Sequence, residues 1–105
     1  MSTQLKKGTL EMCVLAILDQ ADGYAYDIVT KLAGGVEMSE GTIYPLMRRL
    51  QNDELVTTYL AESEQGPPRK YYRLTAQGRR ELQKLKAEWR AFVADVEKIL
   101  GDDNE

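Results

Sequence analysis

Histidine is absent from the 105 residues, and Cys13 is the only thiol. The commonest general base and the commonest metal ligand are thereby missing. A lone cysteine cannot close an intramolecular disulfide or build a cysteine metal cluster. Set among Met12, Val14 and Leu15, Cys13 reads as a small buried hydrophobe rather than a reactive thiol. Carboxylates and tyrosines are scattered, and nothing sets a nucleophile beside a base, so no enzyme, metal or cofactor is expected. No apolar run approaches the roughly 18 residues that a membrane span requires. Lys6, Lys7 and Glu11 break up the one stretch near the N-terminus that resembles a secretory signal. The expectation is a cytoplasmic protein with no membrane partner.

What is present is an ordinary globular composition, 43% hydrophobic and 30% charged, which argues against disorder. A single domain of this size buries only about 60 to 65% of its unfolded surface, so association is expected to add stability. The formal net charge of -3 speaks at first against nucleic acid, but its distribution matters more than its sum. Residues 39–80 carry seven basic side chains against five acidic ones, while the segments on either side are net acidic. A DNA-facing surface is therefore expected in the middle of the chain.

From Leu5 to Gln20, Leu10, Cys13, Val14, Ile17 and Leu18 follow the spacing of one helix face. Met12 and Leu15 add a second apolar flank, available to a partner. Asp22-Gly23-Tyr24 reads as a turn, and Ala25, Ile28, Val29 and Leu32 mark a short second helix closed by Gly34-Gly35. Ser39 is the expected N-cap of a third helix carrying Ile43, Leu46, Met47 and Leu50 and running to about Asp53. Two short helices joined in this way suit a helix-turn-helix. Leu55 to Glu62 and Arg69 to Leu74 read as strands of a hairpin, with Ser63 to Pro68 as the loop between them. Thr75 caps a last helix whose Leu82, Leu85, Trp89, Phe92, Val96 and Ile99 recur at alternating steps of three and four, widened by Val93 and Leu100. About 25 residues make a rod of about 38 Å, too long for so small a body. The expected occupant of the seam is a second copy, through Met12, Leu15, Leu82, Leu85, Trp89, Phe92, Val93, Val96, Ile99 and Leu100.

With Ile43, Leu46, Met47 and Leu50 turned inward, Gly41, Pro45, Arg48 and Asn52 fall on the opposite face of the third helix, flanked by Thr42, Tyr44 and Arg49. Small residues that let the backbone approach, with arginines able to reach guanine or phosphate, are what a recognition helix needs. An amphipathic surface helix carries similar charges, and that reading stays open on this helix alone. Pro45 removes a backbone donor and crowds the carbonyl of Gly41, so a distorted first turn is expected. Arg69 and Lys70, beside the stiff Gly66-Pro67-Pro68 tip, are placed to straddle phosphates. They equally suit a solvated hairpin whose charges protect an edge strand. The candidate DNA contacts are Ser39, Gly41, Thr42, Tyr44, Pro45, Arg48, Arg49, Asn52, Arg69 and Lys70. A winged-helix module for protein partners is the competing reading. It calls for a hydrophobic third-helix surface, against which Arg48, Arg49 and Asn52 speak.

In order, Lys7-Gly8-Thr9-Leu10-Glu11, Tyr24-Ala25-Tyr26-Asp27-Ile28, Ser39-Glu40-Gly41-Thr42-Ile43-Tyr44-Pro45-Leu46 and Gly66-Pro67-Pro68-Arg69-Lys70-Tyr71-Tyr72-Arg73-Leu74-Thr75, followed by Gly78, resemble the PadR-like family of bacterial regulators over nearly the whole chain. The resemblance implies a mostly α fold with a small β-hairpin (α+β): a winged helix-turn-helix over residues 1–75, a dimerisation helix over 76–101 and a tail at 102–105. It implies a homodimer built through the first and last helices, with each third helix entering a major groove of an inverted-repeat operator, usually as a repressor. A multidrug-binding branch of the family has a tryptophan at the point of Trp89 that stacks on flat aromatic ligands. The resemblance thus implies a planar aromatic effector held by Leu85, Trp89 and Phe92, against the plainer reading of Trp89 as interface packing. The acidic tilt of residues 81–105 departs from the family pattern.

Overall fold

The computed structural model describes residues 3–36 and 39–101, so the expected tail at 102–105 lies outside the described residues. Its elements follow the order α1 (Thr3–Gln20), α2 (Ala25–Leu32), α3 (Glu40–Asn52), β1 (Val56–Ser63), β2 (Gly66–Leu74) and α4 (Ala76–Leu100). This is the expected α+β architecture, helices with one antiparallel hairpin.

The core is built from one stripe of each element. Leu10, Val14, Leu15 and Leu18 of α1 meet Ala25, Ile28 and Leu32 of α2, Ile43, Met47 and Leu50 of α3, Val56, Tyr72 and Leu74 of the hairpin and Leu82 of α4. Leu15, expected on an outer flank, has no exposed surface. It precedes Leu18 by three residues and so shares that residue's face. Cys13 and Ile17, expected on the core stripe, are half-buried beside it. Burial raises the Cys13 thiol pKa, which keeps it protonated and suits the packing role.

Between α1 and α2, Gly23 forms a short β-bridge where a plain turn was expected. Its N–H donates to the Tyr72 carbonyl at 3.2 Å, and the Tyr72 N–H donates back at 2.8 Å. The free edge of β2 is thereby stitched to the helical body. α3 begins after Ser39, whose carbonyl accepts from both Thr42 N and Ile43 N at 3.1 Å. The helix runs continuously from Glu40 to Asn52 with Pro45 inside it. It ends in a turn with Glu54 at φ 62°, where Leu55 N reaches back to the Leu50 carbonyl at 2.9 Å. This six-to-one closure is a Schellman turn, and it delivers Leu55 into the core.

The wing is longer than the sequence suggested. β2 starts at Gly66, leaving only Glu64 and Gln65 outside the strands. Pro67 and Pro68 lie within the strand, where the register slips between Ala61↔Arg69 and Ser63↔Gly66. A bulge at a hairpin tip tolerates residues without an N–H, so the prolines extend the strand.

At the other end of β2 the Thr75 hydroxyl caps α4, accepting from Gly78 N at 2.9 Å and donating to the Glu54 carbonyl at 2.7 Å. Gly78 presses against Leu55, and Leu82 seals the core. Beyond Leu85, which still packs on the body, α4 projects outward and the molecule extends over 56 Å.

Candidate nucleic-acid interface

α3 buries Ile43, Met47 and Leu50 and leaves Gly41, Thr42, Tyr44, Pro45, Arg48, Arg49 and Asn52 exposed, the division that its periodicity predicts. On the helical wheel Gly41, Arg48 and Asn52 lie farthest from the core, Tyr44 borders them on one side, and Thr42 and Arg49 border them on the other. Ser39, also exposed, shares a hydroxyl hydrogen bond with Thr42 at 3.2 Å and makes no side-chain cap to the helix backbone.

The Tyr44 side of α3 faces the wing. Burial raises the Tyr72 pKa, the Tyr44 phenol adds to that rise and the Arg48 guanidinium offsets it, so both lie within electrostatic reach of Tyr72. In the hairpin register Lys70 pairs with Leu60 and Tyr72 with Thr58, which puts Lys70 and Tyr72 on one face. The Lys70 ammonium lies 5.5 Å from the centre of the Tyr72 ring. Tyr44 and Arg48 from α3 and Lys70 from β2 thus all lie near Tyr72. Arg48 forms no ion pair among the described residues.

The other two candidate cations are held elsewhere. Arg69 is on the opposite face of β2, 4.7 Å above the Tyr24 ring and donating to the Tyr24 hydroxyl at 3.1 Å. Arg69 and Lys70 are adjacent residues of a strand and point to opposite sides, so they do not form the expected pair. Below Arg69, Tyr71 stacks on Tyr59 at 5.6 Å, and the Tyr59 hydroxyl and Arg73 both donate to Asp22 Oδ2, at 2.7 Å and 3.1 Å. The hydrogen bond to Asp22 is the main cause of the raised Tyr59 pKa. This outer face braces the wing. Arg49 turns toward α1, where its Nη2 donates to Glu11 Oε1 at 2.6 Å. Tyr72 and Glu11 were missed as site residues. Tyr72 carries a signal, its period-two relation to Lys70, whereas Glu11 and Arg49 are 38 positions apart and nothing in their spacing joins them.

The residues assigned to a dimer seam divide along α4. Leu15 and Leu82 belong to the protomer's own core and present no surface to a partner, a correction to their assignment. Met12 and Leu85 are partly buried against the same core, Val93 and Val96 are half-buried, and Trp89, Phe92, Ile99 and Leu100 are 39%, 58%, 86% and 76% exposed. Of the three residues assigned to an effector, Trp89 and Phe92 are open and Leu85 rests on the body.

No helix among the described residues is long and apolar enough to cross a membrane. Residues 14–84 match the model of the transcriptional regulator PadR-like family. The fold is similar to the crystal structure of a PadR-like transcriptional regulator from Bacillus cereus, at 39% identity and a TM-score of 0.85 over 96% of this chain and 100% of that one. A PadR family regulator from Eggerthella lenta is similar at 38% identity and 0.85 over 95% and 88%. Bacillus subtilis PadR, solved in complex with operator DNA, shares the fold at 22% identity and 0.67, over 72% of this chain and 45% of that one. With most of its length matched and its helices and hairpin in the same arrangement, the chain belongs to the PadR-like family of transcriptional regulators, which are not enzymes.

Proposed function

We propose that this protein is a cytoplasmic repressor that binds an inverted-repeat operator as a homodimer, through α3 and the Lys70 face of the wing. The observation that carries the reading is Arg48, exposed on the outer face of α3 and without an ion pair among the described residues, near the Tyr72 that Lys70 covers on the wing. Small Gly41 and exposed Asn52 leave room for base edges next to a phosphate-binding cation. Bacillus subtilis PadR, captured on its operator, supports the same use of this fold.

Residues 1–75 form the DNA-binding unit in this reading and 76–101 the dimerisation helix. The support is the apolar stripe of α4 from Trp89 to Leu100, which lies outside the core cluster formed by the described residues. Pairing two such helices sets the separation of the two α3 helices, and half-sites on one face of DNA lie about 34 Å apart.

Arg48→Ala is expected to flatten the dependence of binding on log salt by about 0.9 for each protomer. Fluorescence anisotropy on DNA from the promoter adjoining the protein's own coding sequence measures this. An Arg48→Ala protein that binds as tightly as the parent across the salt range would remove α3 from the interface.

A planar aromatic effector completes the reading. Trp89 and Phe92 are one helical turn apart and exposed, and two copies of each would meet near the dimer axis. A flat apolar ligand stacking there gains about 0.5 to 1.5 kcal/mol beyond area burial. It lowers DNA affinity if it favours a spacing of the α3 helices that does not fit the operator. Trp89 is the only tryptophan, so its emission should change on titration with planar aromatic dyes. Emission unchanged at high micromolar dye returns Trp89 to packing.

A further inference from the structure

Arg49 has the residue type and the exposure of a DNA contact, yet it is committed elsewhere. Its Nη2 donates to Glu11 Oε1 at 2.6 Å, the shortest ion pair among the described residues, and its side chain remains 58% exposed. Thr42, about two turns earlier on the same flank of α3, is also exposed, so the pair sits at the α1 edge of the face proposed to meet DNA. We infer that Glu11 is an internal counter-anion that occupies Arg49 in place of a DNA phosphate and holds down the affinity for DNA of arbitrary sequence. The inference rests on the DNA-binding reading above.

The physical basis is competition for one guanidinium. A carboxylate in a short charge-assisted hydrogen bond offers the same recognition as a phosphate oxygen. Binding to DNA must then displace Glu11, or bring a phosphate up to a site already neutralised by it. In either case Arg49 yields less than the full electrostatic gain, which arises from counterions released as each cation meets the backbone. That gain is independent of sequence, so removing it lowers binding to any duplex. Contacts from Arg48, which has no such partner among the described residues, are untouched. The loss falls equally on operator and arbitrary DNA, so their ratio stays as the base contacts set it while the absolute affinity for arbitrary sequence falls. An exposed pair of this kind contributes little to the fold, so Glu11→Gln should fold as the parent does.

The test uses the full chain and a mixed-sequence duplex of about 30 base pairs, followed by anisotropy from about 50 to 200 mM salt. Glu11→Gln should steepen the log–log salt dependence by about 0.9 per protomer, so that across this range its affinity changes by about tenfold more than the parent's if both protomers of a dimer engage. In the parent, Arg49→Ala should alter the slope less than Arg48→Ala does. The double variant Glu11→Gln/Arg49→Ala should lose the whole gain, since the cycle isolates what passes through Arg49. An unchanged slope in Glu11→Gln overturns the inference while leaving DNA binding in place. So does a gain that survives in the double variant, which would make Glu11 only a repulsive charge. Should Glu11→Gln fail to fold, Arg49→Ala decides: a loss equal to that of Arg48→Ala shows Arg49 already engaged with DNA and overturns the inference. A parent that binds no duplex at any of these salt concentrations removes the DNA-binding reading itself, and the inference with it.

Discussion

Replacing Val96 and Ile99 with aspartate is expected to leave the protein a folded monomer at micromolar concentration and to abolish operator binding. Both residues lie on the part of α4 that extends beyond the body. Ile99 is 86% exposed and Val96 half-buried, and neither belongs to the core cluster. The change therefore spares the contacts that hold the protomer together. At a paired seam, by contrast, the two substitutions place four carboxylates in an apolar interface, each costing several kcal/mol unless it is paired. Even a total of about 4 kcal/mol weakens association roughly a thousandfold. Sedimentation velocity distinguishes the outcomes. A parent that is monomeric, or a variant that stays dimeric, would contradict the assignment of the seam. Circular dichroism of the variant should retain the helical signal of the body.

Gly78→Ala should be the most destabilising alanine substitution among the described glycines. Its Cβ would stand 2.0 Å from the Leu55 carbonyl oxygen and 2.6 Å from Leu74 Cδ1. Neither neighbour is free to move away. The Leu55 carbonyl accepts from the Thr75 backbone N–H at 3.1 Å, and Leu74 is buried. Overpacking typically costs about 1 to 3 kcal/mol, and a clash with anchored backbone belongs at or above the top of that range. A loss of about 3 kcal/mol lowers the melting temperature by roughly 15 °C in a domain of this size. Gly66→Ala is the control, because nothing lies within 4 Å of its added methyl, and it should change stability by no more than about 0.5 kcal/mol. Equal melting temperatures for the two variants would show that the α4–Leu55 contact is not as close as described.

The order of elements was legible because each boundary carried local chemistry. Ser39 and Thr75 stand at the N-caps of α3 and α4, and the stripe Ile43, Met47, Leu50 marked the buried side of α3. What the sequence hid depends on contacts between distant segments. Leu15 and Leu82 are apolar at helical spacing whether they face their own core or a partner, so periodicity alone could not divide the core of α4 from its projecting seam. The adjacent cations Arg69 and Lys70 looked like a pair beside the stiff tip, but neighbours within a strand point to opposite faces, and each covers a different tyrosine. Arg48 and Arg49 likewise looked equivalent. They differ because one side of α3 meets the wing and the other meets Glu11 on α1. The bridge between Gly23 and Tyr72 joins residues almost 50 positions apart, and a glycine beside a tyrosine reads locally as a turn.

The most direct test of DNA recognition by a symmetric dimer is a hydroxyl-radical footprint of the parent protein on the promoter adjoining its own coding sequence. Two protected half-sites related by an inverted repeat are expected, with centres about one helical turn, or a whole number of turns, apart, and both should be lost together in the Arg48→Ala protein. Uniform weak protection along the duplex, or protection that survives Arg48→Ala unchanged, would contradict it.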